Sequence, residues 1–576
     1  MRVGALALTL LACAAMRLWM MSTAQTISKD GAVYVKMAKE WSKNPGAVVD
    51  GYNYHVGYPV LVNGVHGALT KLGLPDGIDG WELSGRIVSF TFSLVAMVGI
   101  WLVAGLTFNW RVAWITVLLF GTGTKWAALG SDVLTDAPAV CLQVWAVAIA
   151  LVALKQFGAR SRRVLVSAGA VGLCAGAGYL VRPESLLAAV LACLLWLGRQ
   201  VRRKGSWRLT LCAMGVTAAT ALAAAAPYMI AIGKLTKKKD VTRIVPLGAV
   251  MTEGLPTGCP LALIQQAAPV GQEFPGFSTM QDVLKFPSQL SEAMHPAIAI
   301  AVGLWVMTWI GVRVFGVKLP AGVWLSPRPG GGFLMIAALA IVAPIMICLY
   351  RHVGYLSYRH VTFLAALIAP LAGAELVGMA QGAAEVTARI GWRSYPAGWL
   401  AVLVGGVLIL LAVHTAQRPC EGKAYRQAGE YLGARITPQD WVLSSNALVL
   451  HYSQQEWIWT DDKWSDRKWI GYFPDIRGRY VDVRKRSADG FADLVRQRNP
   501  APTYVVLGDS EAAEADEINA RKRKSTLTSL IRPPVFVEEK LFCGSGKDAE
   551  TVRVYRINRE ALHSLPASRA ADGTEQ

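Results

Sequence analysis

The sequence predicts a polytopic α-helical membrane protein that ends in a small α/β domain. Of its 576 residues, 53% are hydrophobic and only 17% are charged, which is less charge than a soluble protein of this length carries. Apolar runs of about 17–25 residues recur along the chain, as membrane-spanning helices require. Beyond about Gln417 the composition becomes charged and polar, which indicates a separate soluble domain.

The apolar runs predict about eleven spans within a membrane domain of residues 1–416. The first run, which contains Arg17, is interpreted as an uncleaved span; the alternative is a signal peptide cleaved near Ala24. The expected spans are Val3–Met21, Ile87–Phe108, Val112–Leu129, Val133–Leu154, Val164–Val181, Ser185–Leu197, Leu209–Ile232, Pro296–Val314, Gly332–Tyr350, Val361–Met379 and Ala397–His414.

The short loops between these runs predict the topology. Every second loop is rich in Lys and Arg, as at Arg111 and between Arg199 and Lys204, so that side is expected to be cytoplasmic. The first loop, Ser22–Arg86, and the C-terminal domain are then extracytoplasmic, in a protein of the cytoplasmic (inner) membrane. The formal net charge of +19 therefore reflects topology, and no nucleic-acid partner is predicted.

The C-terminal domain is expected to span residues 417–566, followed by a disordered tail at 567–576. The predicted strands are WVLSSN, TYVVLGD, PVFVEEKLF and TVRVYRI. Amphipathic helices are predicted at Gly422–Ala434 and Gly490–Arg498. The cysteine spacing predicts no metal site and leaves a disulfide among Cys259, Cys420 and Cys543 open.

The first loop contains the first candidate for catalysis, Asp30. A carboxylate just beyond a membrane span could act as a general base, or it could simply cap the helix that follows. That helix, Gly31–Trp41, is either an interfacial helix on the membrane or an amphipathic helix packed on protein. Further along, GYNYHVGYPVL places His55 and Tyr58 on a loop that leads back to the next helical region.

Charged residues also collect at the predicted outer ends of later helices. Asp132 and Asp136 bracket the turn SDVLTD, and Asp136 lies about one turn inside a span, where a buried carboxylate is costly and therefore a functional candidate. Arg182 and Glu184 flank Pro183; Arg182 suits a phosphate, and a surface ion pair with Glu184 is the alternative.

Two further outer segments are basic. GKLTKKKD, which contains Lys237, could bind an anionic head group or be a solvated loop. The segment RHVGYLSYRH is typical of a phosphate clamp because it concentrates arginine, histidine and tyrosine. Its candidate residues are Arg351, Tyr358, Arg359 and His360.

Taken together, these segments resemble the GT-C superfamily of integral-membrane glycosyltransferases, and more narrowly the protein O-mannosyltransferases and the aminoarabinose transferases of lipid A. The resemblance covers roughly residues 1–415. It rests on Asp30-Gly31 and Tyr34 and on the segments HVGYPVL, LTDAPAV, YLVRPESLL and LSYRHVTFLAALIAP.

The resemblance implies a glycosyltransferase that takes a sugar from a polyprenyl-phosphate donor within the membrane and works on the extracytoplasmic face. It implies that Asp30 activates the acceptor, that Asp132 or Asp136 is a second acid, and that Arg182 and Arg359 meet the lipid phosphate. Related enzymes often have Asp-Glu in the first loop, whereas this chain has Asp30-Gly31, so a second carboxylate comes from elsewhere or is absent.

The acceptor that the resemblance implies is a protein, a lipid or a glycan. No cofactor is predicted, although a divalent metal remains an alternative because the outer acids and His55 are suitable ligand types. The rival functions are an oligosaccharyltransferase or glycan ligase on the same scaffold, a non-enzymatic transporter, and a lipid-binding scaffold.

Overall fold

The structure is a computed structural model of the whole chain. The residues it describes are 2–157, 161–203, 206–237, 279–315, 327–353, 356–390, 395–416, 422–437, 439–459, 476–481, 491, 495, 502–513, 516, 531, 533–544 and 550–564.

Apolar helices dominate the first part of the chain. Ten of the described helices are long and apolar enough to cross a membrane. The helices up to residue 232 are α1 (Arg2–Thr23), α2 (Lys29–Lys43), α3 (Pro45–Gly51), α4 (Gly57–Lys71), α5 (Ile78–Thr107), α6 (Trp110–Thr122), α7 (Thr124–Leu129), α8 (Asp136–Gln156), α9 (Ser161–Val181), a 3-10 helix (Pro183–Leu186), α10 (Leu187–Arg203) and α11 (Trp207–Ile232). Those that follow are α12 (Thr279–Met294), α13 (Pro296–Arg313), α14 (Pro329–Val353), α15 (Tyr358–Arg389) and α16 (Pro396–Ala416).

The predicted span Val112–Leu129 is broken in two. It forms the 13-residue helix α6 and the 6-residue helix α7, which meet at Gly123. The carbonyls at the end of α6 lack intrahelical partners, and Arg17 of α1 supplies one, because its Nη1 donates to the Gly121 oxygen at 2.9 Å. Arg17 also donates through Nε to Ser93 Oγ at 2.8 Å and is fully buried. The third of the eleven predicted spans is therefore replaced by two short helices, which leaves the ten long apolar helices.

Helix α15 forms the core of the membrane part. It packs against α6, α12, α13, α14 and α16. In its most apolar stretch of 18 residues, 89% is buried. A long apolar helix surrounded by others is hydrophobic all round, and α15 has this character from Val361 to Leu371. Its first turn is consequently held in a defined place at one end of the helix bundle.

Contacts divide the chain into two compact units. The first unit comprises Met1–Met21, Asn53–Leu61 and Arg86–Gln417. The second comprises Ser22–Tyr52, Val62–Gly85 and Arg418–Gln576. Two parts of the first loop, Ser22–Tyr52 and Val62–Gly85, thus belong to the same compact unit as the C-terminal segment.

The second unit contains a six-stranded mixed sheet with the strand order β2-β3-β1-β4-β6-β5. Strands β2, β3, β1 and β4 run parallel, and β6 pairs antiparallel with both β4 and β5. The C-terminal elements are α17 (Lys423–Gly433), β1 (Val442–Ser444), α18 (Ala447–Tyr452), β2 (Glu456–Trp459), β3 (Ile476–Tyr480), β4 (Tyr504–Gly508), β5 (Phe536–Cys543), β6 (Thr551–Ile557) and α19 (Arg559–Ser564).

The fold class predicted from the sequence is confirmed, namely many apolar helices followed by a small α/β region. All four predicted strands are present, and the predicted helix Gly422–Ala434 is α17. Strands β2 and β3 were not predicted, because EWIW and IRGRY have only four and five residues. Most of the helix predicted at Gly490–Arg498 lies outside the described residues, as do Cys259 and Cys420, while Cys543 is an exposed thiol.

Gly57, at the start of α4, packs directly on the backbone of α9. A Cβ at this position would lie 2.6 Å from the Leu180 oxygen, which is closer than real Cβ contacts come. We expect Gly57→Ala to destabilise the protein by about 1–3 kcal/mol, because the loop containing His55 would have to move away from α9. Thermal unfolding in detergent measures the effect.

Gly64 provides the matched control on the same helix, because nothing lies within 4 Å of a Cβ placed there. Gly64→Ala should be neutral or slightly stabilising, since alanine favours helix over glycine by about 0.5–1 kcal/mol. Equal thermal stability of the two variants would contradict the close packing of Gly57 on α9.

Candidate functional site

The candidate site of the first unit is built around Asp136, the first residue of α8. The side chain is fully buried, and each of its oxygens accepts from a different arginine. Arg182 Nη1 donates to Oδ1, while Arg359 donates to Oδ2 from Nη2 at 2.8 Å and from Nε at 3.0 Å. Two guanidinium groups from distant parts of the chain therefore converge on one carboxylate.

Local sequence places each arginine. Arg182 ends α9 because Pro183 follows it, and a residue before proline avoids helical geometry; its φ and ψ are −150° and 129°. The Glu184 carboxylate lies 3.8 Å from Arg182 Nε, at the limit of an ion pair. The side chain of Arg182 therefore bonds to Asp136 and lies at the edge of ion-pair distance from Glu184.

Arg359 lies in the first turn of α15, which a capping box fixes. Ser357 Oγ accepts from the Arg359 amide at 3.3 Å, and His360 Nδ1 accepts from the Ser357 amide at 3.2 Å. A histidine thus takes the place that glutamate or glutamine usually occupies in this motif. Nδ1 also lies 3.3 Å from the Ser357 oxygen, so the ring is held to the Ser357 backbone through this nitrogen.

A cavity between α8, α10, α14 and α15 opens beside the two arginines. One part of its wall is charged or polar, and the rest is apolar. The charged and polar lining residues are Arg182, Glu184, Arg359, His360 and Gln143. The apolar lining residues are Ala139, Val140, Leu187, Val342, Met346 and Phe363.

Asp132 lies near this site in sequence but is held differently. Its Oδ1 accepts from the Val133 amide at 2.7 Å, within the turn that precedes α8. Tyr58 is fully buried and shares a 3.0 Å hydrogen bond with Ser89 Oγ, which donates in turn to the Leu134 oxygen at 3.1 Å. Tyr58 therefore contacts the same turn through Ser89.

His55 lies in an aromatic cluster. Its ring packs edge-on to Tyr179 at 5.0 Å and tilted to Tyr228 at 5.1 Å, and its Nε2 shares a 3.0 Å hydrogen bond with Thr236 Oγ1. Lys237, the residue after Thr236, is also buried. The rest of the basic segment after Lys237 lies outside the described residues.

Tyr358, the residue before Arg359, makes a cation–π contact with Lys125. Lys125 Nζ is 4.6 Å from the ring centroid and 2.9 Å from Glu292 Oε1. Arg351 lies in the last turn of α14, but its side chain is outside the described residues. Among the described residues of the segment RHVGYLSYRH, Arg359 and His360 line the cavity.

Asp30 belongs to the second unit and lies in the first turn of α2. Ser28 caps this helix, because its Oγ accepts from the Gly31 amide at 3.1 Å, and Asp30 itself is half-buried. Residues 31–38 and Glu40 are buried, Tyr34 among them. Helix α2 is therefore packed on protein, which was one of the two predicted alternatives.

A buried ion pair on α2 was not predicted from the sequence. Lys36 Nζ pairs with Glu40 Oε1, and Tyr52 Oη donates to Glu40 Oε2 at 2.6 Å. Burial raises the pKa of Glu40, against the opposing effects of Lys36 and Tyr52. The i, i+4 spacing of Lys36 and Glu40 could have predicted this pair, since residues at that spacing are neighbours on a helix.

A divalent metal is the alternative that the outer acids and His55 left open. Within the described part of the chain, no group of three or more His, Cys, Asp or Glu side chains could hold a metal ion.

The ten long apolar helices among the described residues and the small mixed sheet describe a polytopic α-helical membrane protein with a C-terminal α/β region. Residues 78–230 match the family model of dolichyl-phosphate-mannose-protein mannosyltransferases. No curated protein sequence is significantly similar to the chain.

Solved structures share this fold at low sequence identity. ArnT from Cupriavidus metallidurans, bound to undecaprenyl phosphate, aligns with a TM-score of 0.53 and 13% identity over 96% of this chain and 98% of its own. AglB from Archaeoglobus fulgidus, an oligosaccharyltransferase in complex with an inhibitory peptide and a dolichol-phosphate, aligns with a TM-score of 0.54 and 11% identity over 97% and 74%. The apo oligosaccharyltransferase of Archaeoglobus fulgidus aligns with a TM-score of 0.55 and 12% identity over 88% and 69%. The resemblance to the GT-C superfamily is thus confirmed.

Proposed function

We propose that this protein transfers a sugar from a polyprenyl-phosphate-linked donor to an acceptor on the extracytoplasmic face of the cytoplasmic membrane. The observation that carries the proposal is the cavity in which Arg182 and Arg359 lie beside an apolar wall. Two similar structures add support, since ArnT is bound to undecaprenyl phosphate and AglB to a dolichol-phosphate.

In this proposal the two arginines bind the phosphate. Arginine presents planar donors that match phosphate oxygens, and such charge-assisted bonds are roughly twice as strong as neutral ones. The polyprenyl chain would lie against residues such as Val140, Val342 and Phe363, whose hydrocarbon surfaces line the cavity. His360, also in the lining, would donate from Nε2 to a phosphate oxygen.

Asp136 serves to position the arginines. Both of its oxygens already accept hydrogen bonds from guanidinium groups, and the side chain is fully buried, so it is a poor choice for a base that must meet an acceptor. Holding the two cations in one place prepares the site for the negative charge of the leaving group.

The transfer itself needs one proton acceptor. The acceptor oxygen forms a bond to the anomeric carbon while the bond from that carbon to the phosphate oxygen breaks. The electron pair leaves with the polyprenyl phosphate, whose charge the arginines stabilise. Asp30 takes the proton of the acceptor hydroxyl, with Asp132 as the second candidate for this role.

Binding of undecaprenyl phosphate to the purified protein tests the site. Arg359→Gln should weaken binding about 10- to 100-fold, because a hydrogen bond to a charged group contributes about 1.5–3 kcal/mol. The matched control is Arg199→Gln on α10, since Arg199 donates to the Phe157 oxygen and lies outside the cavity lining. Native mass spectrometry with titrated lipid measures both. Equal affinities of the two variants would contradict the phosphate site.

A second candidate function is the transfer of a whole oligosaccharide. It is favoured by the fold shared with the oligosaccharyltransferases of Archaeoglobus fulgidus. Assays that offer single-sugar and oligosaccharide lipid donors side by side distinguish the two, because only one donor class should be consumed. The same assay decides whether a hexose or a pentose is transferred.

A further inference from the structure

The parallel part of the C-terminal sheet has a topological switch point between β1 and β4. The chain leaves β1 toward β2 and β3 on one side, and it leaves β4 toward β5 and β6 on the other. The carboxyl ends of two such strands diverge and leave a crevice, which is where open α/β sheets bind their ligands. In this protein the crevice is bordered by Ser445 and Asn446 after β1 and by Glu511 after β4.

Lys29, from the first loop, lies at this crevice. The buried Glu511 carboxylate accepts from Ser445 Oγ, from Asn446 Nδ2 at 3.1 Å, and from Lys29 Nζ. The Lys29 ammonium also lies 5.8 Å from the centroid of the Tyr425 ring. The Glu511 carboxylate thus joins Lys29 of the first loop to the residues that follow β1.

Two further contacts hold the segment that precedes Lys29. The Gln25 oxygen accepts from Arg426 Nη1 at 3.0 Å, and the Ile27 amide donates to Tyr452 Oη at 3.3 Å. Residues 25, 27 and 29 thus contact the C-terminal segment in turn. Ser28, which lies between these contacts, caps α2, and Asp30 follows Lys29 directly.

The other end of α2 is held by β2. Glu456 Oε1 lies 2.8 Å from Lys43 Nζ, and its Oε2 lies 3.7 Å from Lys36 Nζ. Burial opposes ionisation of Glu456, but Lys36 and Lys43 hold the pKa of this carboxyl below its ordinary value. The helix that carries Asp30 is therefore fastened to the C-terminal sheet at both ends.

We propose that the C-terminal domain positions the catalytic loop, with Glu511 acting through Lys29 as a positioning residue for Asp30. The inference rests on the proposed function, in which Asp30 accepts the proton of the acceptor. A misplacement of about 1 Å can cost on the order of 100-fold in rate, so fixing the first turn of α2 has a direct catalytic consequence.

A double-mutant cycle in the full-length protein tests the coupling. Glu511→Gln and Lys29→Met should each lower kcat about 10-fold and leave the KM for the lipid-linked donor unchanged, and the double variant should be no slower than either single variant. The matched control is Asp509→Asn, two residues from Glu511, because Asp509 pairs with Arg553 of the sheet at 2.9 Å. It should stay within about twofold of wild type.

Hydrogen exchange of the amides in residues 29–35 provides a second readout that does not depend on activity. Exchange there should be faster in Glu511→Gln than in Asp509→Asn, while exchange in α15 should be equal in both. Multiplicative effects of Lys29→Met and Glu511→Gln on kcat, or equal exchange of residues 29–35 in the Glu511 and Asp509 variants, would overturn the proposal. If the wild type transfers no sugar, the proposed function fails, and the exchange experiment still decides whether Glu511 holds the loop.

Discussion

Replacing Asp30 with asparagine is expected to lower kcat for sugar transfer about 10²- to 10⁴-fold, the range that general-base catalysis contributes. The substitution keeps the size of the side chain and removes its charge. Binding of undecaprenyl phosphate should not change, because the two arginines proposed to bind it belong to other segments of the chain. Release of labelled sugar from polyprenyl-phosphate donors measures turnover, and native mass spectrometry measures binding.

Asp50→Asn is the matched control for this experiment. Asp50 lies in the same loop on α3 and is exposed, so loss of its charge should leave turnover within about twofold of wild type. Turnover of the Asp30 variant equal to that of the Asp50 variant would remove Asp30 as the base and move attention to Asp132.

Replacing Asp136 with asparagine should lower the stability of the protein more than any other substitution proposed for it. It leaves the half-buried guanidinium groups of Arg182 and Arg359 without the buried carboxylate that both contact. Breaking a buried pair in this way costs about 3–5 kcal/mol. We expect a lower thermal unfolding temperature in detergent together with loss of undecaprenyl phosphate binding, because the arginines are no longer held.

A triple variant separates the two consequences. Combining Asp136→Asn with Arg182→Gln and Arg359→Gln removes the charges together, so it should recover part of the lost stability without recovering lipid binding. A single Asp136→Asn protein that is as stable as wild type and binds the lipid equally well would refute the role assigned to Asp136. Recovery of lipid binding in the triple variant would refute the role of the arginines.

Much of the candidate site was visible in the sequence as separate residues. Asp136 was a candidate because a carboxylate within a span is costly, and the structure shows it fully buried. Arg182 and Arg359 were candidates because arginine suits phosphate. Their meeting at one carboxylate could not be predicted, since residue separations of 46 and 223 along the chain carry no distance information.

The sequence by itself determined the fold class, most of the spans and four of the strands, because apolar length and hydrophobic alternation act locally along the chain. Only the tertiary structure decided the break of the span at Gly123, where Arg17 of another helix supplies a hydrogen bond to the end of α6. Only the tertiary structure placed Lys29 against Glu511 and so joined the first loop to the C-terminal sheet. In both cases a buried polar group takes a hydrogen-bond partner from a distant segment, and that requirement leaves no periodic trace in the sequence.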